Sequence, residues 1–157
     1  MRKKEYEITD QAEIEGILRK ALICRLAMTD GQVPYIVPLN FGYRDRALYF
    51  HTGHAGKKID ILKNNPVVCF EADIDAELAP SDTACGYSMR YRSVIGTGRA
   101  EFLDDREMKR NALDIIMGHY SDRKNPEYRE DSFDRACIIR VKIDAMTGRK
   151  SGVSHVG

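Results

Sequence analysis

The chain has no tryptophan, only five prolines and four cysteines among 157 residues, and a formal net charge of just +1. Near-neutrality removes the basic excess that marks nucleic-acid binders, so no nucleic-acid partner is expected. No apolar run nears the roughly 18 residues of a membrane-crossing helix, so no membrane partner is expected either. The opening residues, Met1 to Glu7, lack the apolar core of a secretory signal, and a cytoplasmic protein is the default expectation. Cys24, Cys69, Cys85 and Cys137 form no C-x-x-C pair and no zinc-ligand spacing, so no metal site is expected. Cys24, Cys69 and Cys137 fall in apolar, strand-like runs and read as small buried hydrophobes in a reducing compartment. Cys85, in a polar stretch, is the thiol to watch for reactivity.

What is present is an ordinary globular composition, 43% hydrophobic and 31% charged, in a length that suits a single domain over residues 1–157. Asp10-Gln11-Ala12-Glu13 has the form of a capping box, and Ile14, Ile17, Leu18 and Ala21 follow at helical spacing. The period then drops to two. Leu22, Cys24, Leu26 and Met28 alternate along a strand, and Asp30-Gly31 signals a hairpin. On the return strand Val33, Tyr35, Val37, Leu39 and Phe41 share one face. Pro34 and Pro38 on the other face remove two ladder donors, which predicts an edge strand.

After a turn at Arg44-Asp45-Arg46, a third strand covers 47–51. A glycine-bearing loop leads into a short helix over 57–63, which Asn64-Asn65-Pro66 ends. A fourth strand covers 67–72. Residues 74–90, with Pro80, Ser81, Asp82 and Gly86, read as a long functional or mobile loop. A strand over 91–103 follows, in which Gly96 and Gly98 share a face and mark a bulge, a bend or a close approach. A helix over 105–119 presents Met108, Ala112, Ile115, Ile116 and His119 as its inner stripe. A last strand over 136–143 precedes a tail. Antiparallel hairpins with inserted helices predict a mainly β (α+β) fold, an antiparallel β-barrel with helical decorations.

The stretch richest in chemistry is Leu48-Tyr49-Phe50-His51-Thr52-Gly53-His54-Ala55-Gly56-Lys57-Lys58. A strand ends, a hydroxyl appears, glycines let the backbone come close, and two lysines open a helix. Helix N-termini carry unsatisfied N–H groups and the positive end of the helix dipole, so cations there are out of place unless an anion is bound. The pattern suits a phosphate monoester. A polar loop with two solvated lysines is the competing reading. The G-x-x-x-x-G-K-[ST] loop of nucleotide triphosphatases is absent. His119, at a helix end beside Tyr120, reads as a cap or packing residue, and His155 as solvated. His51 and His54 flank the loop.

The succession of residues 34–43 (Pro-Tyr-Ile-Val-Pro-Leu-Asn-Phe-Gly-Tyr), Leu48 to Thr52, Gly56-Lys57-Lys58 and Tyr91-Arg92-Ser93-Val94-Ile95-Gly96-x-Gly98 resembles the FMN-binding split-barrel superfamily of pyridoxamine 5′-phosphate oxidase. With residues 85–88 ahead of it, the pattern is most similar to the nitroimidazole-resistance branch. The resemblance spans about residues 8 to 143. It implies an antiparallel FMN-binding split β-barrel that works as a homodimer, with FMN at the subunit interface. It implies that Tyr35, Ile36, Val37, Pro38, Leu39 and Asn40 line the flavin ring, that His51 and Thr52 sit by the ring edge and ribityl phosphate, and that Lys57 and Lys58 hold the phosphate. Arg92 and Ser93 would come from the second subunit. His51 is the candidate catalytic residue.

Pyridoxamine phosphate oxidases carry basic residues on the flavin strand and a C-terminal segment that grips the substrate phosphate. Here Tyr35 and Asn40 take the strand positions, and the tail offers Arg149, Lys150 and His155. Pyridoxamine phosphate oxidation is therefore not the expected activity; the resemblance to the nitroimidazole-resistance branch implies reduction of a small organic molecule such as a nitroimidazole, with a nicotinamide as electron donor. No G-x-G-x-x-G follows a strand, so the donor would be external. A flavin-binding sensor or stress protein without turnover, and a haem-binding barrel, are the alternatives.

Overall fold

A computed structural model describes residues 4–152. One antiparallel sheet organises it. Its strands are β1 (Glu7–Ile8), β2 (Cys24–Met28), β3 (Tyr35–Leu39), β4 (Gly42–Arg44), β5 (Ala47–Thr52), β6 (Val67–Ala79), β7 (Ser88–Leu103) and β8 (Cys137–Ser151). The helices are α1 (Gln11–Lys20), α2 (Lys57–Asn64), α3 (Arg106–Tyr120) and α4 (Glu130–Arg135). The strand order is β3-β2-β6-β7-β8-β5-β4, with β1 on β8. No helix among the described residues is long and apolar enough to cross a membrane.

That order makes the sheet a split barrel. β3 and β4 are its two ends, yet only Asn40 and Phe41 separate them in the chain. Three Cα–Cα steps reach at most about 11 Å, so the sheet must curl until its ends are neighbours. No ladder joins them, and the barrel stays open along a seam. Tyr120 of α3 ties this corner down, accepting a hydrogen bond from the Phe41 N–H at 2.9 Å and donating to the Leu22 carbonyl at 2.8 Å. His119 packs on the Phe41 ring at 4.5 Å and meets the Ala21 carbonyl at 2.6 Å. It is a packing residue.

Alternation fills the barrel. Cys24, Leu26 and Met28 of β2, Val68, Phe70 and Ala72 of β6, Leu48 and Phe50 of β5, and Ile139 and Val141 of β8 are all buried inward. α1 lays Ile14, Ile17 and Leu18 on this core, with Asp10 accepting from the Ala12 N–H as its N-cap. A second cluster of Leu103, Ala112, Leu113, Phe133 and Ile138 sits under α3 and α4. β3, which holds Pro38 while Pro34 precedes it, is an edge strand, as expected. The β4–β5 turn places Asp45 and Arg46 at φ 49° and 57°, the twist a two-residue hairpin loop needs.

The structure corrects several expectations. Residues 74–90 are not a loop: β6 runs to Ala79 and β7 starts at Ser88, so the two strands continue as a hairpin arm. β8 continues to Ser151, so Arg149 and Lys150 are strand residues opposite Ser93 and Arg92 rather than a tail. His155 lies outside the described residues. Cys69 is exposed, because burial of its neighbours Val68 and Phe70 turns it outward by strand alternation. Leu22 and Val33, at 72% and 75% exposure, precede their strands instead of sharing their buried faces. Met108 is exposed, and Leu113 takes its place on the inner face of α3.

Cys24 is fully buried, and desolvation pushes its thiol up to about 12. A pKa raised by folding means stability that is complete below the unfolded-state value near 8.5 and lost above it. Stability should therefore fall by up to about 1.4 kcal/mol per pH unit from that point towards pH 12. Denaturant melts of wild type and Cys24→Ala between neutral and alkaline pH check this: the difference between them should narrow as pH rises.

Candidate functional site

Two contacts pin β3 against the segment that joins β5 to α2. At one end, the Asn40 side-chain nitrogen lies 3.4 Å from His51 Nε2. With the amide nitrogen donating, Nε2 accepts and Nδ1 carries the ring proton. At the other end, Lys57 Nζ stands 4.9 Å over the Tyr35 ring. Five strand steps separate Tyr35 from Asn40, about 17 Å, so the two contacts fix the opposite ends of β3 against His51 and Lys57. An edge strand offers backbone N–H and C=O groups that no ladder satisfies.

The sequence makes this seam by local means. Pro38 lacks an amide hydrogen, so β3 cannot be an interior strand. Gly56, at φ 123°, sits where a side chain would be strained and leaves the first turn of α2 without a side-chain cap. The Ile59 N–H donates to the Gly56 carbonyl at 2.9 Å, which leaves the Lys57 and Lys58 N–H groups of that turn without an intrahelical acceptor. Lys57 and Lys58 stand in that turn, and neither has an ion-pair partner among the described residues. His51 and Lys57 are exposed; Thr52 and Lys58 are half-buried. Lys57 faces Tyr35, whereas Lys58 lies within electrostatic range of Cys137 on another side of the helix.

The predicted residues fall into two groups. Tyr35, Ile36, Val37, Pro38 and Leu39 form β3, and Asn40, His51, Thr52, Lys57 and Lys58 adjoin it. Tyr35, Val37 and Leu39 are half-buried, while Ile36 and Pro38 face outward. Arg92 and Ser93 stand apart on β7, three strands from β3 in the sheet order, about 14 Å across the sheet. Ser93 is buried. Arg92 pairs with Asp75 and lies 3.9 Å from Glu13. Its hydrogen bond holds the Asp75 carboxyl below the ordinary value. Sequence reasoning missed Tyr120, whose hydroxyl fixes the β3–β4 corner from 79 residues away. No local signal links them. Among the described residues no group of three or more His, Cys, Asp or Glu side chains could hold a metal ion.

A curled antiparallel sheet, open along one seam where an edge strand meets an uncapped helix start, defines a split-barrel protein. The chain belongs to the pyridoxamine 5′-phosphate oxidase family, whose model matches residues 10–150. The fold is shared with the crystal structure of a candidate 5-nitroimidazole antibiotic resistance protein from Bacteroides thetaiotaomicron VPI-5482. That protein is 39% identical at a TM-score of 0.81, over 92% of this chain and 86% of that one. An FAD-binding protein from Mesorhizobium loti is 25% identical at a TM-score of 0.68, over 91% of this chain and 96% of that one. An uncharacterized protein of Rhizobium meliloti (strain 1021) is 29% identical over 96 residues, 61% of this chain. This chain thus matches little more than half, 56%, of that relative's length.

Proposed function

We propose that the chain is an FMN-dependent reductase that acts as a homodimer on a small organic substrate, such as a nitroimidazole or another nitroaromatic, with a nicotinamide as electron donor. The observation that carries this reading is the seam pinned at both ends, Asn40 to His51 and Tyr35 to Lys57. Its length suits a planar ring with a phosphorylated five-carbon chain laid along β3. The ring end would meet Asn40, His51 and Thr52, and the phosphate would meet Lys57, Lys58 and the first turn of α2.

The residues present fit such a group: Lys57 and Lys58, neither with an ion-pair partner among the described residues, follow Gly56 at a helix start with no side-chain cap, a place that suits an anion. When bound, the flavin supplies the electron-transfer chemistry. The chain's own residues bind and orient it. Tyr35 to Leu39 would offer backbone groups at the ring, and His51, held beside Asn40, would stand at the ring end. Arg92 and Ser93, remote from the seam in their own chain, would close the site of the partner subunit. The likeness to the Bacteroides protein supports the nitro-compound substrate class. The FAD-binding protein of M. loti makes FAD the competing cofactor.

The absorbance spectrum of the freshly purified protein, followed by identification of the released chromophore, tests this. FMN that NADH or NADPH bleaches and a nitroaromatic reoxidises supports the reading in full. FMN that no nicotinamide bleaches makes the chain a flavin-binding sensor or stress protein. A Soret band makes it a haem protein, and released FAD overturns the choice of cofactor. A stable monomer by light scattering, with flavin bound, overturns the shared site.

His51→Ala should lower turnover by about tenfold, 1.4 kcal/mol of barrier, while changing stability by less than about 0.5 kcal/mol, because the ring is exposed. Steady-state rates beside a denaturant melt check it. An unchanged rate with full flavin content would make His51 a bystander.

A further inference from the structure

A second cleft lies on another side of α2 from the seam. Each helical residue advances about 100°, so Ile59 and Lys63 stand away from the face that Lys57 presents to Tyr35. Together with the start of β8 and the β7–α3 junction they bound a cleft of about 330 Å³. Its floor is apolar: Ile59, Phe102, Leu103, Ala136 and the buried Cys137. Its rim carries Lys63, Lys109 and His54 against one acid, Asp104.

The positive groups are unevenly committed. Lys109 Nζ donates to the Phe133 carbonyl at 3.2 Å, which fixes its position and leaves two donors. Lys63 has no partner among the described residues. Lys58, Lys63 and Lys109 all act electrostatically on Cys137 from nearby. Burial, and after it the Asp104 carboxylate, raise the Cys137 thiol against the pull of those lysines. The cleft thus offers an apolar floor beneath cationic groups with unused donors. Such a site rewards a ligand with an apolar body and one anionic end.

We propose that this cleft binds a small monocarboxylate with an aromatic or branched apolar body, separately from the flavin seam. The body lies on Ile59, Phe102 and Leu103, and the carboxylate accepts hydrogen bonds from Lys63 and Lys109. The proposal does not depend on the flavin reading, since the carboxylate's partners Lys63 and Lys109 lie outside the seam and only His54 of residues 51–57 reaches the cleft's rim.

Benzoate is the probe, with benzyl alcohol as its uncharged counterpart, titrated into the purified protein carrying whatever cofactor it retains. Amide shifts in nitrogen–proton spectra give the site and the affinity. Benzoate should shift Ile59, Lys63, Leu103 and Cys137 saturably, at least about tenfold more tightly than benzyl alcohol, the size of one charge-assisted hydrogen bond. Lys63→Gln and Lys109→Gln should each weaken benzoate by about tenfold and leave benzyl alcohol unchanged. Lys63 is exposed, so its variant tests the site without risk to the fold. Equal affinity for the two probes, shifts centred on Tyr35 and Lys57, or no saturable shift would each overturn the proposal.

Discussion

Lys57→Ala should weaken FMN binding by about 10- to 100-fold and leave riboflavin binding nearly unchanged. The lysine opens α2, where the helix dipole repels a cation; Asp60 is the acid of that turn, and no ion pair joins it to Lys57 among the described residues. An ammonium stays in such a place at little cost only if an anion shares it. Riboflavin has the same ring and chain but no phosphate, so it isolates that interaction. Lys58→Ala should act in the same direction with a smaller loss, because Lys58 is half-buried and lies towards Cys137 rather than Tyr35. Paired titrations of FMN and riboflavin on wild type and both variants read the difference. Equal losses for both ligands would assign the lysines to the fold. No loss for either would make them a solvated helix face.

Gly98→Ala should cost about 3 kcal/mol, the upper end for forcing atoms into a packed site, and lower the melting temperature by about 6–12 °C. A Cβ at Gly98 would lie 2.3 Å from the Lys142 carbonyl oxygen and 2.8 Å from Val141 Cγ1. The first of these is backbone, inside the β7–β8 ladder, at the point where the register shifts between Thr97 and Gly98. Backbone there cannot move without breaking strand pairing on both sides. Gly16→Ala supplies the contrast. It sits within α1 with nothing within 4 Å of an added Cβ, so it should stabilise the protein by about 0.5–1 kcal/mol. Denaturant melts of the two variants should move in opposite directions. A Gly98→Ala midpoint equal to wild type would show that the ladder yields at this point.

Both predictions concern positions that stand out in the sequence, yet for different reasons. Lys57 is conspicuous because residue type and helix position conflict locally, and such a conflict needs no tertiary information to notice. Gly98 is conspicuous only as a glycine in a strand. Whether it marks a bulge, a bend or a close approach depends on Lys142, 44 positions along the chain. Structure brings the first and last of these readings together, since the register shift and the near contact occur at the same residue.

The same division explains the misread segments. The end of β6 and the start of β7 were hidden because they extend beyond the core. From Glu77 to Leu78 on β6 and from Ser88 to Arg90 on β7 the residues are exposed on both faces. A strand that buries neither face shows no period-two pattern, so nothing in its composition separates it from a loop. Cys69 was misplaced for the opposite reason. The run Val67-Val68-Cys69-Phe70 is apolar throughout, and alternation within it cannot be seen until the partner strands fix which face is inward.

By itself the sequence determined the class of fold and the chemistry of one loop. Pro38 forced an edge strand, alternating residues forced a sheet with one wet face, and lysines after Gly56 marked an anion-ready helix start. Each follows from backbone and side-chain terms that act within a few residues. Only the tertiary structure decided that the edge strand lies beside that loop, with Asn40 at His51 and Tyr35 at Lys57. It alone placed Arg92 and Ser93 away from the seam, and gathered Lys63 and Lys109 from two helices over the apolar floor of a second cleft. These juxtapositions come from the curl of the sheet and the packing of helices on it. They join residues tens of positions apart, and no local preference of the chain encodes them.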